Sequence, residues 1–212
     1  MVITLIYILP VRTCPCGPGG VTFLRNKDGL VTERHAFFDG QNLYHSSKSA
    51  FPNASDDYNP KALATLIAKR QGWHLVQTRF YTAIPDQNRD RIGAKMWHRR
   101  LLRMNRDGCK TTARILRYDE SGRGREKGID IRIALDLIRL TLNQHMDVAL
   151  VFPQDQDFAE VASELRLINK KTGYFVRIAS AFPKSELANN KRGINGADWL
   201  RFDIHDWNNC LY

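Results

Sequence analysis

The chain has 212 residues, of which 43% are hydrophobic and 25% charged; this is ordinary globular usage and excludes a disordered chain. The length suits one well-cored domain and is short for two. The 32 Lys and Arg residues exceed the 22 Asp and Glu residues, and the resulting net charge of +10 favours a polyanionic partner, nucleic acid first and an anionic membrane surface second.

The predicted elements begin only after an N-terminal stretch. We interpret residues 1–34 as a poorly specified leader, which is broken by the Gly-, Pro- and Cys-rich segment "VRTCPCGPGG". No apolar run reaches the roughly 18 residues that a membrane span needs, and the basic n-region of a signal peptide is missing. The sequence therefore predicts a protein that does not enter a membrane.

The cysteines indicate a reducing compartment. There are four, and the pair in "CPC" lacks the spacing of a metal-binding C-x-x-C motif. Free thiols are the expected state of all four, which predicts a cytoplasmic protein. They are Cys14, Cys16, Cys109 and Cys210.

Residues 35–212 are expected to form a single domain in which strands and helices alternate. A short buried strand in "HAFFDG" ends at Asp39. A helix over "NPKALATLIAKRQG" begins at an Asn-Pro pair and ends before Gly72. A strand centred on Arg79–Ile84 then precedes a helix over Arg89–Arg106.

The second half of the chain continues the alternation. "TTARILRYD" is typical of a strand, "SGRGREKG" of a flexible basic loop, and "IDIRIALDLIRLTLNQ" of a helix entered near Asp130. The apolar run "MDVALVFP" predicts a strand buried on both faces, followed by a helix ending at Gly173 and strands in "YFVRIAS" and "ADWLRFDI". Strands separated by helices of this length are parallel, which predicts a three-layer α/β/α sandwich with a mostly parallel central sheet.

Four acids lie at the ends of these predicted elements, on three segments that are distant in sequence. In open α/β sheets, functional groups gather at the carboxyl ends of the strands, at a topological switch point. Each acid taken singly also fits a turn or N-cap role. The four are Asp39 in "AFFDGQNLY", Asp130 in "EKGID", and Asp155 and Asp157 in "PQDQDF".

The joint pattern favours a metal site. Asp155 and Asp157 are two residues apart, so two acids are placed where one cap suffices. Like charges at a shared site repel unless a cation neutralises them, and ligands with only oxygen donors suit Mg²⁺ or Mn²⁺. Such an ion can polarise a phosphoryl oxygen and activate a water for attack on phosphorus. P-loop, G-x-G-x-x-G, G-x-S-x-G and H-E-x-x-H motifs are absent from the sequence.

Three ordered motifs resemble those of a known family. "FFDGQNLYHS", "KGIDIRIALDLIRL" and "VALVFPQDQDF" are similar to the D-G-x-N, K-G-h-D and S-G-D-x-D-F signatures (h, apolar) of NYN-domain proteins, specifically the LabA-like branch of the PIN-like nucleases. The resemblance covers about residues 34–205. It implies a PIN-like fold and a divalent-metal-dependent ribonuclease whose metal-site acids are the four named above. It also implies that Asn42 orients the first acid or contacts a phosphate or metal-bound water.

Two sites in these motifs fit the family pattern less simply. Where the family has Ser-Gly before its first paired acid, this chain has Pro153-Gln154, and the lost glycine could change how closely the backbone approaches an ion. Asp136 matches a frequent acidic position of the family. It lies six residues after Asp130, about 600° of helical turn, so we interpret it as a residue outside the core site that either supports the metal ligands or lies on the surface.

Two basic segments are candidates for substrate binding. One is the helix over Arg89–Arg106, where a phosphate-tracking stripe includes Arg99 and Arg103; the alternative is a solvated helix face. The other is the Gly-rich loop that leads into Asp130. A loop of this kind can wrap a single strand of RNA, where the phosphate is accessible. Its candidate residues are Arg123, Arg125 and Lys127.

The leading hypothesis is a metal-dependent endoribonuclease that hydrolyses single-stranded RNA with Mg²⁺ or Mn²⁺ as cofactor. A catalytically weakened RNA-binding regulatory protein is the second hypothesis, motivated by Pro153-Gln154, and a small-molecule phosphohydrolase is the third. RNA is the expected partner. A homo-oligomer is compatible with the sequence, and no protein partner is predicted.

Overall fold

The computed structural model describes residues 33–212, so almost all of the predicted leader lies outside the described residues. Arg34 already belongs to the first strand, which puts the start of the domain slightly before residue 35. Residues Glu33–Tyr212 form one compact unit. The elements are β1 Arg34–Asp39, α1 Gly40–Ala50, α2 Pro60–Arg70, β2 Gln77–Ile84, α3 Arg91–Arg106, β3 Cys109–Ile115, β4 Arg117–Tyr118, β5 Gly124–Arg125, α4 Ile129–Leu142, β6 Val148–Val151, α5 Phe158–Thr172, β7 Arg177–Pro183, β8 Asp198–Phe202 and α6 Ile204–Asn208.

Six of the strands form one parallel sheet in the order β3-β2-β1-β6-β7-β8. From β1 the chain builds outward through β2 to β3, and after α4 it returns to β6 on the other side of β1 and builds outward through β7 to β8. The topological switch point therefore lies between β1 and β6. In sheets of this kind, the crevice at the carboxyl ends of the two central strands is where ligands bind.

Helices cover both faces of the sheet, which confirms the predicted α/β/α sandwich. On one face, α1, α2, α3 and α6 pack on a core that includes Phe38, Phe80 and Trp207. On the other face, α4 and α5 pack on a core that includes Phe37 and Ile133. Neighbouring residues of β1 serve opposite cores because successive side chains of a strand point to opposite faces.

Local signals placed most helices correctly. Asn59 caps α2, its side chain accepting a hydrogen bond from the N–H of Ala62 at 3.1 Å, and Gly173 ends α5 in the left-handed conformation. The helix predicted to begin at Arg89 instead begins at Arg91, because Asp90 accepts a hydrogen bond from the N–H of Gly93 and caps it there. α1 was not predicted.

The segment "SGRGREKG" was predicted to be a flexible loop; most of it is turn and loop, but Gly124–Arg125 form a short strand. β4 and β5 pair as an antiparallel hairpin. Asp119 organises its turn, since its carboxylate accepts hydrogen bonds from the N–H groups of Ser121 and Arg123 and from Nε of Arg125. The basic residues before α4 are therefore presented on a defined turn.

Two further sequence predictions concern thiols and membranes. Cys109 and Cys210 are buried free thiols, as predicted, and Cys14 and Cys16 lie outside the described residues. Between residues 33 and 212, no helix combines the length and the apolarity needed to cross a membrane.

Candidate active site

Asp39 is the last residue of β1 and lies at the switch point, where it is buried with only 6% of its surface exposed. It also caps α1, accepting a hydrogen bond from the N–H of Asn42 at 2.9 Å. Burial raises the pKa of this carboxyl, and the nearby charges of Asp130 and Asp155 raise it further against the opposing effect of the N–H groups of Asn42 and Gln41. Asp39 is therefore both a helix cap and the buried member of a group of acids.

Gly40 follows Asp39 because the chain passes close to β2 at this point. A Cβ at Gly40 would lie 2.6 Å from Cζ of Phe80 and 3.1 Å from the carbonyl oxygen of Tyr81. The first turn of α1 is thus seated against the carboxyl end of β2. Close packing accounts for the Asp-Gly pair of the first motif.

Asp130 and Asp155 bring the second and third motifs to the same edge of the sheet. Asp130 lies in the first turn of α4, after Gly128 with its positive φ of 77°, and makes no cap. Asp155 follows β6 and accepts a hydrogen bond from the N–H of Asp157 at 3.0 Å. Both side chains are exposed, and the charges of both act on Asp39. The structure thus places Asp130 and Asp155 near enough to Asp39 for their charges to raise its pKa.

Asp157 is placed differently from the other three acids. It is the N-cap residue of α5 but has helical backbone angles, and its side chain makes no capping hydrogen bond. The carboxylate is exposed at the start of the helix. Its predicted role as a metal ligand stays a prediction.

Glu126 is a further acid of the site that sequence reasoning missed. It follows the hairpin, and its Oε2 accepts a hydrogen bond from the N–H of Ala83, near the carboxyl end of β2, at 2.8 Å. Burial, together with the charges of Asp39 and Asp130, raises its pKa to about 7. The one available signal was an acid standing alone in a basic segment directly before the Lys-Gly pair of the second motif.

Asn42 links the first motif to the third. Its Oδ1 accepts a hydrogen bond from the N–H of Gln154 at 2.9 Å. The side chain thereby holds the segment after β6 beside the start of α1. The orienting role predicted for Asn42 toward Asp39 is carried by its backbone N–H, and the amide oxygen orients the segment that carries Asp155.

Gln154, one of the two departures from the family motif, is hydrogen-bonded to the loop that follows β7. It is buried, and its Nε2 donates hydrogen bonds to the carbonyl oxygens of Asn190 and Arg192 at 3.2 and 2.9 Å. Gln156 adds two more bonds, to the carbonyl oxygen of Gly193 and from the N–H of Asn195. The loop 190–195 is therefore fixed next to the third motif.

The predicted substrate residues fall into two groups. Lys127 is exposed just before α4 and Arg123 is exposed in the hairpin turn, whereas Arg125 is paired with Asp119 at 3.1 Å. α3 begins after the carboxyl end of β2, so Arg99 and Arg103 lie about 12 and 18 Å along the helix from its start. Arg103 also forms an ion pair with Asp57 and stacks on the Tyr212 ring at 3.6 Å. The structure therefore does not bring Arg103 to the acids.

Asp136 is buried, so the alternative of a surface position was wrong. Its Oδ2 accepts a hydrogen bond from the Tyr81 hydroxyl at 2.9 Å. Asp130, in contrast, is exposed, which agrees with the different directions predicted from the helical spacing.

The negative charge of the site favours a divalent cation, although the acids are not arranged as a complete set of direct ligands. In residues 33–212, no three His, Cys, Asp or Glu side chains are placed to hold a metal ion together. Mg²⁺, however, keeps several waters and usually takes one or two carboxylates from the protein. Acids that raise one another's pKa, as Asp39 and Glu126 show, gain stability when a cation neutralises them. The donor set therefore fits Mg²⁺ or Mn²⁺ held through few direct ligands.

Comparison with known proteins identifies the family. The family model "NYN domain" matches residues 36–192, so the chain belongs to the NYN-domain family, which is part of the PIN-like nuclease superfamily. Its placement in the LabA-like branch stays a prediction.

The fold is also found in a solved structure. The crystal structure of a protein of unknown function from Vibrio parahaemolyticus RIMD 2210633 is similar with a TM-score of 0.54 and 21% identity, over 83% of this chain and 96% of that one. At this identity the likeness shows the shared fold alone. None of the curated proteins compared with the chain matches it.

Proposed function

We propose that the protein is a divalent-metal-dependent endoribonuclease that hydrolyses phosphodiester bonds of single-stranded RNA. The observation that carries the proposal is the buried Asp39 at the switch point of a parallel sheet, where the charges of Asp130 and Asp155 raise its pKa and where Asp39 and Asp130 raise the pKa of Glu126. Membership of a nuclease superfamily and a net charge of +10 support the same conclusion.

The acids of the site have two roles in this proposal, metal binding and proton transfer. Asp39, Asp130 and Asp155 would supply the negative charge that attracts Mg²⁺ or Mn²⁺, with one or two of them as direct ligands and waters as the others, and Asp157 is available at the start of α5. The bound ion supplies positive charge to the phosphate and lowers the pKa of a coordinated water. Glu126, whose carboxylate is held at the carboxyl end of β2 by the N–H of Ala83, is the candidate to accept or return a proton during hydrolysis.

The remaining residues position these acids and the substrate. The Asn42 N–H stabilises the ionised form of Asp39, and the Asn42 side chain fixes the segment that carries Asp155. Lys127 lies exposed just before α4 and Arg123 lies exposed at the turn of the hairpin, where they can contact the phosphates of a single strand. A cytoplasmic location fits the buried free thiols of Cys109 and Cys210.

A cleavage assay tests this function. Purified protein is incubated with labelled single-stranded RNA in Mg²⁺, in Mn²⁺ and in EDTA, beside Asp39→Asn and Asp155→Asn. We expect metal-dependent cleavage by the wild type, and a loss of at least 100-fold in both variants, of the order seen when a group that stabilises the transition state is removed. Cleavage that persists in Asp39→Asn at the wild-type rate would overturn the assignment.

A second function is favoured by two observations of the same site. Gln154 occupies the position where the family has glycine, and no three acids of the described chain are placed together around an ion. Both observations suit an RNA-binding protein of weakened activity. RNA binding without cleavage in either metal would support this alternative over the nuclease.

A further inference from the structure

An excess of positive charge surrounds Asp136 on the face of the sheet that α4 covers. Three guanidinium groups face this one carboxylate: Nη2 of Arg132 at 3.3 Å, Nη1 of Arg139 at 3.9 Å and Nη1 of Arg79 at 4.0 Å. The two longer distances exceed those of hydrogen bonds. One carboxylate therefore neutralises one of three cations and leaves a local charge of about +2, counted on full ionisation.

Two of these arginines have unused donors. The Nε atoms of Arg79 and Arg132 are buried and have no hydrogen-bond partner in the described part of the chain. A buried N–H without a partner costs free energy, and a donor on a charged group costs more than a neutral one. These Nε atoms are covered, so an anion that approaches the cluster would contact the more exposed guanidinium ends of Arg132 and Arg139.

The edge strand β3 extends this charge toward the candidate active site. In the register of β2 and β3, Lys110 is the partner of Arg79 and Arg114 is the partner of Ala83. Cys109 packs in the opposite core, so Lys110 and Arg114 stand on the α4 face of the sheet by alternation. Both are exposed, although α4 covers the neighbouring strands β1 and β2.

Arg114 connects this surface to the second motif. Its Nη1 lies 2.9 Å from the position that a Cβ would take at Gly128, two residues before Asp130. From Asp130 to Arg139 the axis of α4 advances about 13 Å, which is nine residues at roughly 1.5 Å each. The basic residues thus form a continuous path that begins at the acids and runs along α4.

We propose that this path binds the phosphates of the RNA strand on one side of the scissile bond. We call it the α4–β3 groove, formed by Lys110 and Arg114 on β3 and by Arg132 and Arg139 on α4, with the largely buried Arg79 of β2 beneath them. Arginine forks match phosphate oxygens, and Asp136 with the Tyr81 hydroxyl holds the guanidinium groups in place. The inference rests on the proposed function, since it names the route of the substrate into that site.

The groove makes a better phosphate surface than the stripe on α3. Arg103 is already paired with Asp57, and Arg100 binds the carbonyl oxygen of Asp56. The groove, in contrast, has more cations than anions and adjoins the acids directly.

RNA binding in EDTA tests the groove without any need for catalysis. Fluorescence anisotropy of a labelled single-stranded RNA oligonucleotide is measured against salt concentration for the full-length protein and three double variants. Arg132→Gln with Arg139→Gln alters the α4 side, and Lys110→Gln with Arg114→Gln alters the β3 side. Lys170→Gln with Lys171→Gln is the matched control: it removes the same charge from the far end of α5. Thermal unfolding shows whether each variant is folded, and the β3 pair remains informative if loss of Arg132 disturbs Asp136.

We expect each groove pair to weaken binding roughly tenfold at low salt and to reduce the slope of log K against log[salt] by about 1.4, or 0.7 for each lost phosphate contact of a single strand. The control pair should leave both quantities close to wild type. Equal weakening by all three pairs, or by none, would overturn the groove, as would a wild-type protein that does not bind RNA.

The outcome for the groove is distinguishable from the outcome for the nuclease. If the protein cleaves RNA but both groove pairs bind like the control, the groove is wrong and the proposed function stands. If binding depends on the groove but no metal supports cleavage, the proposed function fails and the groove stands.

Discussion

The carboxylate of Asp39 has a structural role as a helix cap and a proposed chemical role in the active site. As the cap of α1 it is stabilised in its ionised form by the N–H of Asn42, while burial and the charges of Asp130 and Asp155 oppose ionisation. The acid could be predicted from the sequence because it ends an apolar run and is followed by glycine. Its burial could not, because that depends on how α1 is seated against β2.

Glu126 gives the site a pH dependence that can be measured in the absence of metal. Its pKa rises from 4.5 to about 7 on folding, so between these values the folded chain holds a proton that the unfolded chain has lost. The stability of the folded state therefore falls as pH rises through this window. The side chain of Glu126→Gln stays neutral at every pH. The free energy of unfolding of this variant, relative to that of the wild type, should therefore rise by about 1 to 2 kcal/mol from pH 5 to pH 8, allowing for solvent screening of a half-buried group.

Urea unfolding in EDTA at several pH values checks this expectation. Glu120→Gln, an exposed acid of the same hairpin, is the control and should follow the wild type. A difference between Glu126→Gln and wild type that does not change with pH would show that Glu126 does not titrate in this range.

At the scale of elements, the third motif is held in place by hydrogen bonds to α1 and to the loop after β7, and sequence patterns do not reveal these bonds. The backbone N–H of Gln154 donates to the side chain of Asn42 in α1, and the Gln154 side chain donates to carbonyl oxygens that lie 36 and 38 residues further along the chain. α1 escaped prediction for a related reason: its sequence "GQNLYHSSKSA" is mostly polar and begins with glycine, so its stability comes from packing and from the Asp39 cap. The hairpin before α4 depends likewise on one residue, Asp119.

Gln154→Ala should therefore loosen the loop 190–195 from the site. The loss of two partly buried hydrogen bonds made by a buried side chain is expected to lower the free energy of unfolding by about 1 to 3 kcal/mol and to reduce RNA cleavage. Urea unfolding measures the first effect, with Gln87→Ala in an exposed turn as the control. A Gln154→Ala protein as stable as this control would show that the loop does not depend on Gln154.

At the scale of the whole molecule, the fold was the most predictable feature. The apolar run of β6 and the strands separated by helices were sufficient for a parallel sandwich, and the order of the three motifs placed the acids at one edge. The identity of the partners around each acid was less predictable, since Glu126 reaches Ala83 across 43 residues and Asp136 reaches Tyr81 across 55. Contacts of this range are set by packing.

The domain boundary at Glu33 predicts that the residues after it fold without residues 1–32. Residues Glu33–Tyr212 form one compact unit with cores on both faces of the sheet. A fragment of these residues should unfold cooperatively, with a melting temperature within about 5 °C of that of the full chain, a shift that corresponds to roughly 2 kcal/mol at this size. Circular dichroism during heating measures this. A fragment that is unfolded at 25 °C would show that the domain requires residues 1–32.

The central claim is that the acids at the carboxyl edge of the sheet form a divalent-cation site, and Mn²⁺ binding tests it most directly. The EPR signal of free Mn²⁺ is titrated against wild-type protein, Asp39→Asn with Asp130→Asn, and the control Glu164→Gln with Asp198→Asn, which removes equal charge from other exposed positions. We predict saturable binding by the wild type and the control, and affinity at least tenfold weaker in the site variant. Equal affinity in all three proteins would contradict the account.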